Sequence, residues 1–121
     1  VITAVDHVQL AAPPASEDAL RALYVNVLGL TELPTPPALA ARGGCWFGTG
    51  PVQLHLGIEE DFRAARKAHP GLRVTGIDAY AARLAEHGAP VEWDDNLPGH
   101  RRFHSQDPVG NRLEFLEPVT G

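Results

Sequence analysis

The sequence predicts an α+β fold built from one pattern written twice. Three observations carry that reading. Short segments of strand character bounded by Gly and Pro appear in matching order in the two halves. Each half holds one stretch of helical period, placed after the first strand and before the last three. Metal-capable side chains also repeat at similar spacing, with His7 and His55 separated by 48 positions and His69 and Glu114 by 45. The 121 residues are therefore read as a single domain of two modules, 1–57 and 69–121, joined by a linker over 58–68.

Taken in order, the first module opens with a strand over Val5–Leu10. Ala11–Ala15 is a loop, and Ser16 is a good N-cap with Glu17 and Asp18 in the favourable first turn. Ala19, Leu20, Leu23 and Val27 follow a helical period, and Gly29 is its stop. Leu30–Leu33 is a brief strand ended by a Pro-rich loop. Arg42–Gly48 and Val52–Gly57 then form a hairpin. The second module repeats this. His69–Val74 is its first strand, Asp78–His87 its helix with Gly88 as the stop, and Val91–Trp93 a short strand. Arg101–Ser105 and Asn111–Leu116 make the closing hairpin around Asp107-Pro-Val-Gly110.

Composition narrows the function classes. No apolar run approaches the length of a membrane span, and no signal-peptide pattern opens the chain. The net charge of −5 gives no general attraction to nucleic acid or anionic membrane. Cys45 is alone, so no intrachain disulfide forms, and a cytoplasmic location is expected. Cys45 is read as a buried small residue, His87 as a structural helix-end cation, His100 as solvated, and Glu59–Asp61 as a solvated linker.

The chemistry gathers around Glu114. This carboxylate sits in a strand among Leu113, Phe115 and Leu116, where a lone charge is costly unless something pairs with it or binds it. His7, His55 and His69 are placed in similar short strands. Three imidazoles and one carboxylate suit a borderline divalent ion (Fe, Mn, Co, Ni or Zn) better than Ca or Mg. Alternate strand residues share a face, so His7 goes with Gln9, His55 with Gln53, Glu114 with Arg112 and His104 with Arg102. One sheet face per module is thus expected to be polar, and the other to pack on the helix.

The segments Asp6-His-Val-Gln-Leu10, Ala22-Leu-Tyr-Val-Asn-Val-Leu-Gly-Leu30 and Asp107-Pro-Val-Gly-Asn-Arg-Leu-Glu114 resemble the vicinal oxygen chelate superfamily. Its members include glyoxalase I, methylmalonyl-CoA epimerase, extradiol dioxygenases, fosfomycin-resistance transferases and bleomycin-resistance proteins. The resemblance covers almost the whole chain. It implies two βαβββ modules forming an open, cup-shaped mixed sheet, with metal ligands on the first and last strands of each. Those positions hold His7, His55, His69 and Glu114. It also implies an enzyme that uses Lewis-acid enolate chemistry (isomerase or lyase) or dioxygen insertion on a small vicinally oxygenated metabolite. Glu114 would be ligand and base, and His104 a further catalytic group. Gln9, Trp46, Gln53, Arg102 and Arg112 would contact substrate. His55 departs from the glyoxalase pattern, where Glu or Gln is usual. A homodimer with sites at the module interface is expected. The rival expectation is a metal-free dimeric binding protein that sequesters an aromatic drug.

Overall fold

The computed structural model describes residues 1–119. The chain divides into two compact units, Val1–Ala64 and Ala65–Gly121. Each carries one four-stranded mixed sheet, so the α+β architecture expected from the sequence is observed. Among the described residues no helix is long and apolar enough to cross a membrane.

In the first unit β1 is Val8–Ala12, α1 is Glu17–Arg21, and a π-helical segment follows over Ala22–Val27. Then come β2 (Thr31–Leu33), α2 (Pro37–Ala40), β3 (Cys45–Thr49) and β4 (Val52–Ile58). The sheet order is β1-β4-β3-β2, with β1 parallel to β4 and the other pairs antiparallel. Leu20, Leu23 and Tyr24 on the helical side are buried, as are Cys45, Phe47, Leu54 and Leu56 on the strands. The Tyr24 and Phe47 rings stack at 5.1 Å. Strand alternation sends Leu54 and Leu56 into this core and leaves Gln53 and His55 on the opposite face.

The second unit repeats the order with β5 (Gly71–Arg73), α3 (Ile77–Glu86), β6 (Glu92–Asp94), β7 (His100–Gln106) and β8 (Arg112–Pro118). Its sheet runs β5-β8-β7-β6, and β5 is parallel to β8. Ile77, Ala81 and Leu84 of α3 are buried with Phe103, Leu113 and Phe115 of the sheet. Phe103 and Phe115 stack at 5.0 Å. Arg102, His104, Arg112 and Glu114 alternate with those apolar residues and so lie on the other face.

Several local expectations need correction. The helix expected to run from Ser16 to Gly29 is α-helical only to Arg21, and then widens, with Leu28 N–H donating to the Leu23 carbonyl at 2.9 Å. The Ser16 hydroxyl does not cap α1. It turns back and donates to the Pro13 carbonyl at 2.7 Å. The Pro-rich loop contains α2, started by Pro37 at a position where its missing N–H costs nothing. The first strands start later than expected, at Val8 and Gly71, so His7 and His69 precede them. At His69 the reason is Pro70, which has no N–H to give to the ladder. The Pro70 carbonyl still accepts the Glu114 N–H at 3.1 Å, which ties the two chain positions together. Gly44 has φ of 96°, and a Cβ there would lie 2.2 Å from the Leu56 carbonyl oxygen, so only glycine fits at the entry to β3.

Candidate metal centre

In the first unit the tight Gly50–Pro51 connection sets the hairpin register, pairing Thr49 with Val52 and hence Trp46 with His55. Gln9 is the parallel partner of His55 on the other side. The His55 ring is consequently sandwiched. It stacks on Trp46 at 4.0 Å and on His7 at 4.1 Å. Its Nε2 meets the Gln53 side-chain oxygen at 3.0 Å. His55 is buried, and burial, then the neighbouring His7, push its pKa down, against an opposing pull from Asp6. His7 is exposed at the sheet edge, with Nδ1 3.0 Å from the Asp6 carboxylate.

In the second unit the Asp107–Gly110 turn fixes a different register. Asp107 is buried and accepts the N–H groups of Val109 and Asn111 at 3.0 and 2.9 Å. That locked turn pairs Gln106 with Arg112, Ser105 with Leu113, and His104 with Glu114. Glu114 Oε1 lies 2.8 Å from His69 Nε2 and 3.7 Å from His104 Nε2. Its Oε2 accepts from Arg102 Nη1 at 3.4 Å, while Arg102 Nη2 donates to Asp94 at 3.2 Å. The His69 and His104 rings meet edge to face at 5.3 Å.

Burial alone would raise the Glu114 pKa. His69, Arg102 and His104 together outweigh it and hold the carboxyl below its ordinary range, so it is ionised at neutral pH. His104 is pushed down, first by burial and then by Arg112, with His69 and Arg102 adding to the effect against Glu114. It is therefore neutral at neutral pH, with a ring lone pair available.

These residues fit a divalent ion. One donor atom each from His69, His104 and Glu114 lies within 4.8 Å of the others. Ligands about 2.1 Å from one ion stand roughly 3.0–3.4 Å apart, so small side-chain rotations would close the set. The hydrogen bonding of His69 is consistent with that. Its Nδ1 faces the Lys67 carbonyl and its Nε2 faces the Glu114 carboxylate, both of them acceptors. A neutral imidazole has a single N–H, so the second contact calls for a proton or a metal cation between the two atoms.

The fold and nearly half of the sequence are shared with a solved structure, a glyoxalase family protein from Bacillus anthracis. The two are 42% identical over 98% of each chain, with a TM-score of 0.94. The chain belongs to the glyoxalase family, within the vicinal oxygen chelate superfamily. Another glyoxalase family protein, from Enterococcus faecalis, is 25% identical over 94% of this chain and 97% of its own, with a TM-score of 0.74. A variant of the fosfomycin resistance protein FosX from Listeria monocytogenes, solved with Mn(II) and a dihydroxypropylphosphonic acid, shares the fold at 12% identity. It covers 98% of this chain and 95% of its own, with a TM-score of 0.78. No family model and no curated protein matches the sequence.

Within this glyoxalase family member, the structure brings His69 and Glu114 together as a pair, and His7 and His55 together as a stack. His104 was read from the sequence as a catalytic group, and its donor distance to Glu114 was not anticipated. The signal was present in the turn. A hairpin that pairs Gln106 with Arg112 must pair His104 with Glu114 two residues further on. Asp94, missed entirely, is held by the Arg102 guanidinium at the edge strand β6. Gln9 is exposed over Gly57, where an added Cβ would lie 2.7 Å from its Nε2.

Proposed function

We propose that this chain is a divalent-metal-dependent enzyme acting on a small vicinally oxygenated metabolite, with His7, His55, His69 and Glu114 as its metal ligands. The observation that carries the reading is the 2.8 Å pairing of His69 with Glu114, residues 45 positions apart. When bound, the metal would act as a Lewis acid on two adjacent substrate oxygens or, as Fe(II), bring substrate and dioxygen together.

The chain's own groups then have separate tasks. Glu114 is the one carboxylate of the four. It balances the ion's charge and is the candidate base for a proton beside a substrate carbonyl. His104, neutral and next to it, is the candidate to take or return that proton. Arg102 keeps a buried Nε–H without a partner, a donor suited to a substrate oxygen anion. Trp46, Gln9, Gln53 and Arg112 are the remaining proposed substrate contacts. A cytoplasmic homodimer belongs to the same proposal. A metal-free binder of an aromatic drug has no need of a desolvated carboxylate among two imidazoles and a guanidinium, so the metal reading is preferred.

Acetohydroxamate, which presents two adjacent oxygens, tests the reading by calorimetry. It is expected to bind the Mn(II)- or Zn(II)-loaded protein and not the chelator-stripped protein. Equal binding to both forms, or to neither, overturns the proposal.

A further inference from the structure

The ligand positions implied by the resemblance are on first and last strands, and His104 is on neither. It lies on β7, the penultimate strand of its sheet. Nevertheless its Nε2 is 3.7 Å from the same Glu114 oxygen that faces His69. The side chains of His104 and Glu114 are only 11% and 12% exposed, so their environment is already largely stripped of water. The two are direct cross-strand partners, and the buried Asp107 turn holds that pairing rigid. His69, arriving from the other side of β8, has both ring nitrogens aimed at oxygen acceptors. The Arg102 guanidinium shares its charge between Glu114 and Asp94, so neither carboxylate holds it alone, while Arg112 is a second cation close enough to act on His104.

The stack in the first unit has a contrasting geometry. The His7 and His55 rings lie 15° from parallel at 4.1 Å. Imidazole lone pairs lie in the ring plane, so in this arrangement they run side by side rather than converge on one point. The Gln53 side chain further occupies His55 Nε2.

We propose that His104 is itself a metal ligand, so that His69, His104 and Glu114 form a two-histidine, one-carboxylate set within the second unit alone. This rests on the metal reading above and narrows its ligand set: His104 takes a ligand position in place of the proton-transfer role, and the stacked His7 and His55 are not needed to hold the ion. The three residues retain the ion. Such a set leaves further coordination positions for substrate and water, and suits Fe(II), Mn(II), Co(II) or Zn(II).

The full-length protein, stripped with chelator, tests this in two ways. In imidazole nitrogen NMR of the wild type, Zn(II) is expected to move the ring resonances of His69 and His104 together. In Co(II) titrations, His104→Gln is expected to lose more than about 100-fold in affinity, beyond the loss typical of an outer-shell partner. The His7→Ala/His55→Ala double variant is expected to keep one ion per chain. If Zn(II) moves His69 but leaves His104 still, or His104→Gln binds Co(II) like the wild type, His104 is not a ligand while the metal reading survives. If the wild type takes up neither ion, the metal reading fails and takes this proposal with it. The NMR arm needs no substitution, so a poorly folded His104 variant does not blunt the test.

Discussion

Glu114 meets His69, His104 and Arg102 with its two oxygens, and the balance of those contacts has consequences that can be measured. Its carboxyl is held below the ordinary 4.5, and His55 and His104 are held below the ordinary 6.5. A lowered folded-state value means that the unfolded chain takes up the proton first. Each group therefore contributes stability above its unfolded value and loses it as pH falls through the folded one. In the metal-free protein the melting temperature is expected to decline from about pH 6.5 downward as the two histidines protonate. A second decline, below about pH 4.5, follows Glu114. His104→Gln is expected to flatten the upper part of the curve. A melting temperature constant from about pH 7 to 5 contradicts the burial of neutral imidazoles described here. At this scale the sequence was legible where chemistry and cost coincide. A lone carboxylate among Leu113, Phe115 and Leu116 announces a partner, and His69 is one. The Arg102–Asp94 pair was not legible, because β6 is a three-residue edge strand whose register depends on the irregular chain after it.

At the scale of the element, helix α3 shows how distant residues complete a local structure. Its N-cap residue Gly76 has no side chain to cap it and takes φ of 78°. The cap comes from Glu117 at the end of β8, which accepts the N–H groups of Gly76 and Ile77 at 2.9 and 3.2 Å. A carboxylate there also complements the positive end of the helix. Glu117→Ala is expected to lower unfolding stability by about 1 kcal/mol in chemical denaturation, with Glu117→Gln losing less. Equal stability of Glu117→Ala and the wild type would mean that solvent caps the helix as well. Every expected strand and both long helical stretches have counterparts in the structure, with boundaries shifted by a few residues. The shifts have physical causes. Strand ends are decided by where a partner offers hydrogen bonds, so His7 and His69 fall outside β1 and β5 although their patterns alternate. Apolar spacing does not separate an α-helix from one that widens, so the π-helical segment over Ala22–Val27 was invisible in the pattern.

For the whole molecule, the repeat is the organising fact. Both units share the sheet order first-last-third-second, and in both the last strand lies parallel to the first. This arrangement brings a histidine one or two residues before each first strand beside the polar face of the last strand, as His7 meets His55 and His69 meets Glu114. The two units have diverged at that shared location. One holds a stack of three aromatic rings, and the other a charged cluster with two imidazoles. The net charge of −5 adds a mild general attraction for cations. A glyoxalase family chain with this cluster is expected to bind a divalent metal through His69 and Glu114. Metal content of the purified protein, after supplementation with Fe, Ni, Mn and Zn, tests it most directly when read beside a His69→Ala variant. The account predicts about one ion per chain in the wild type and a loss of more than about 100-fold in affinity in the variant. A wild type that holds no divalent ion, or a His69→Ala protein that holds it as tightly, would contradict the account.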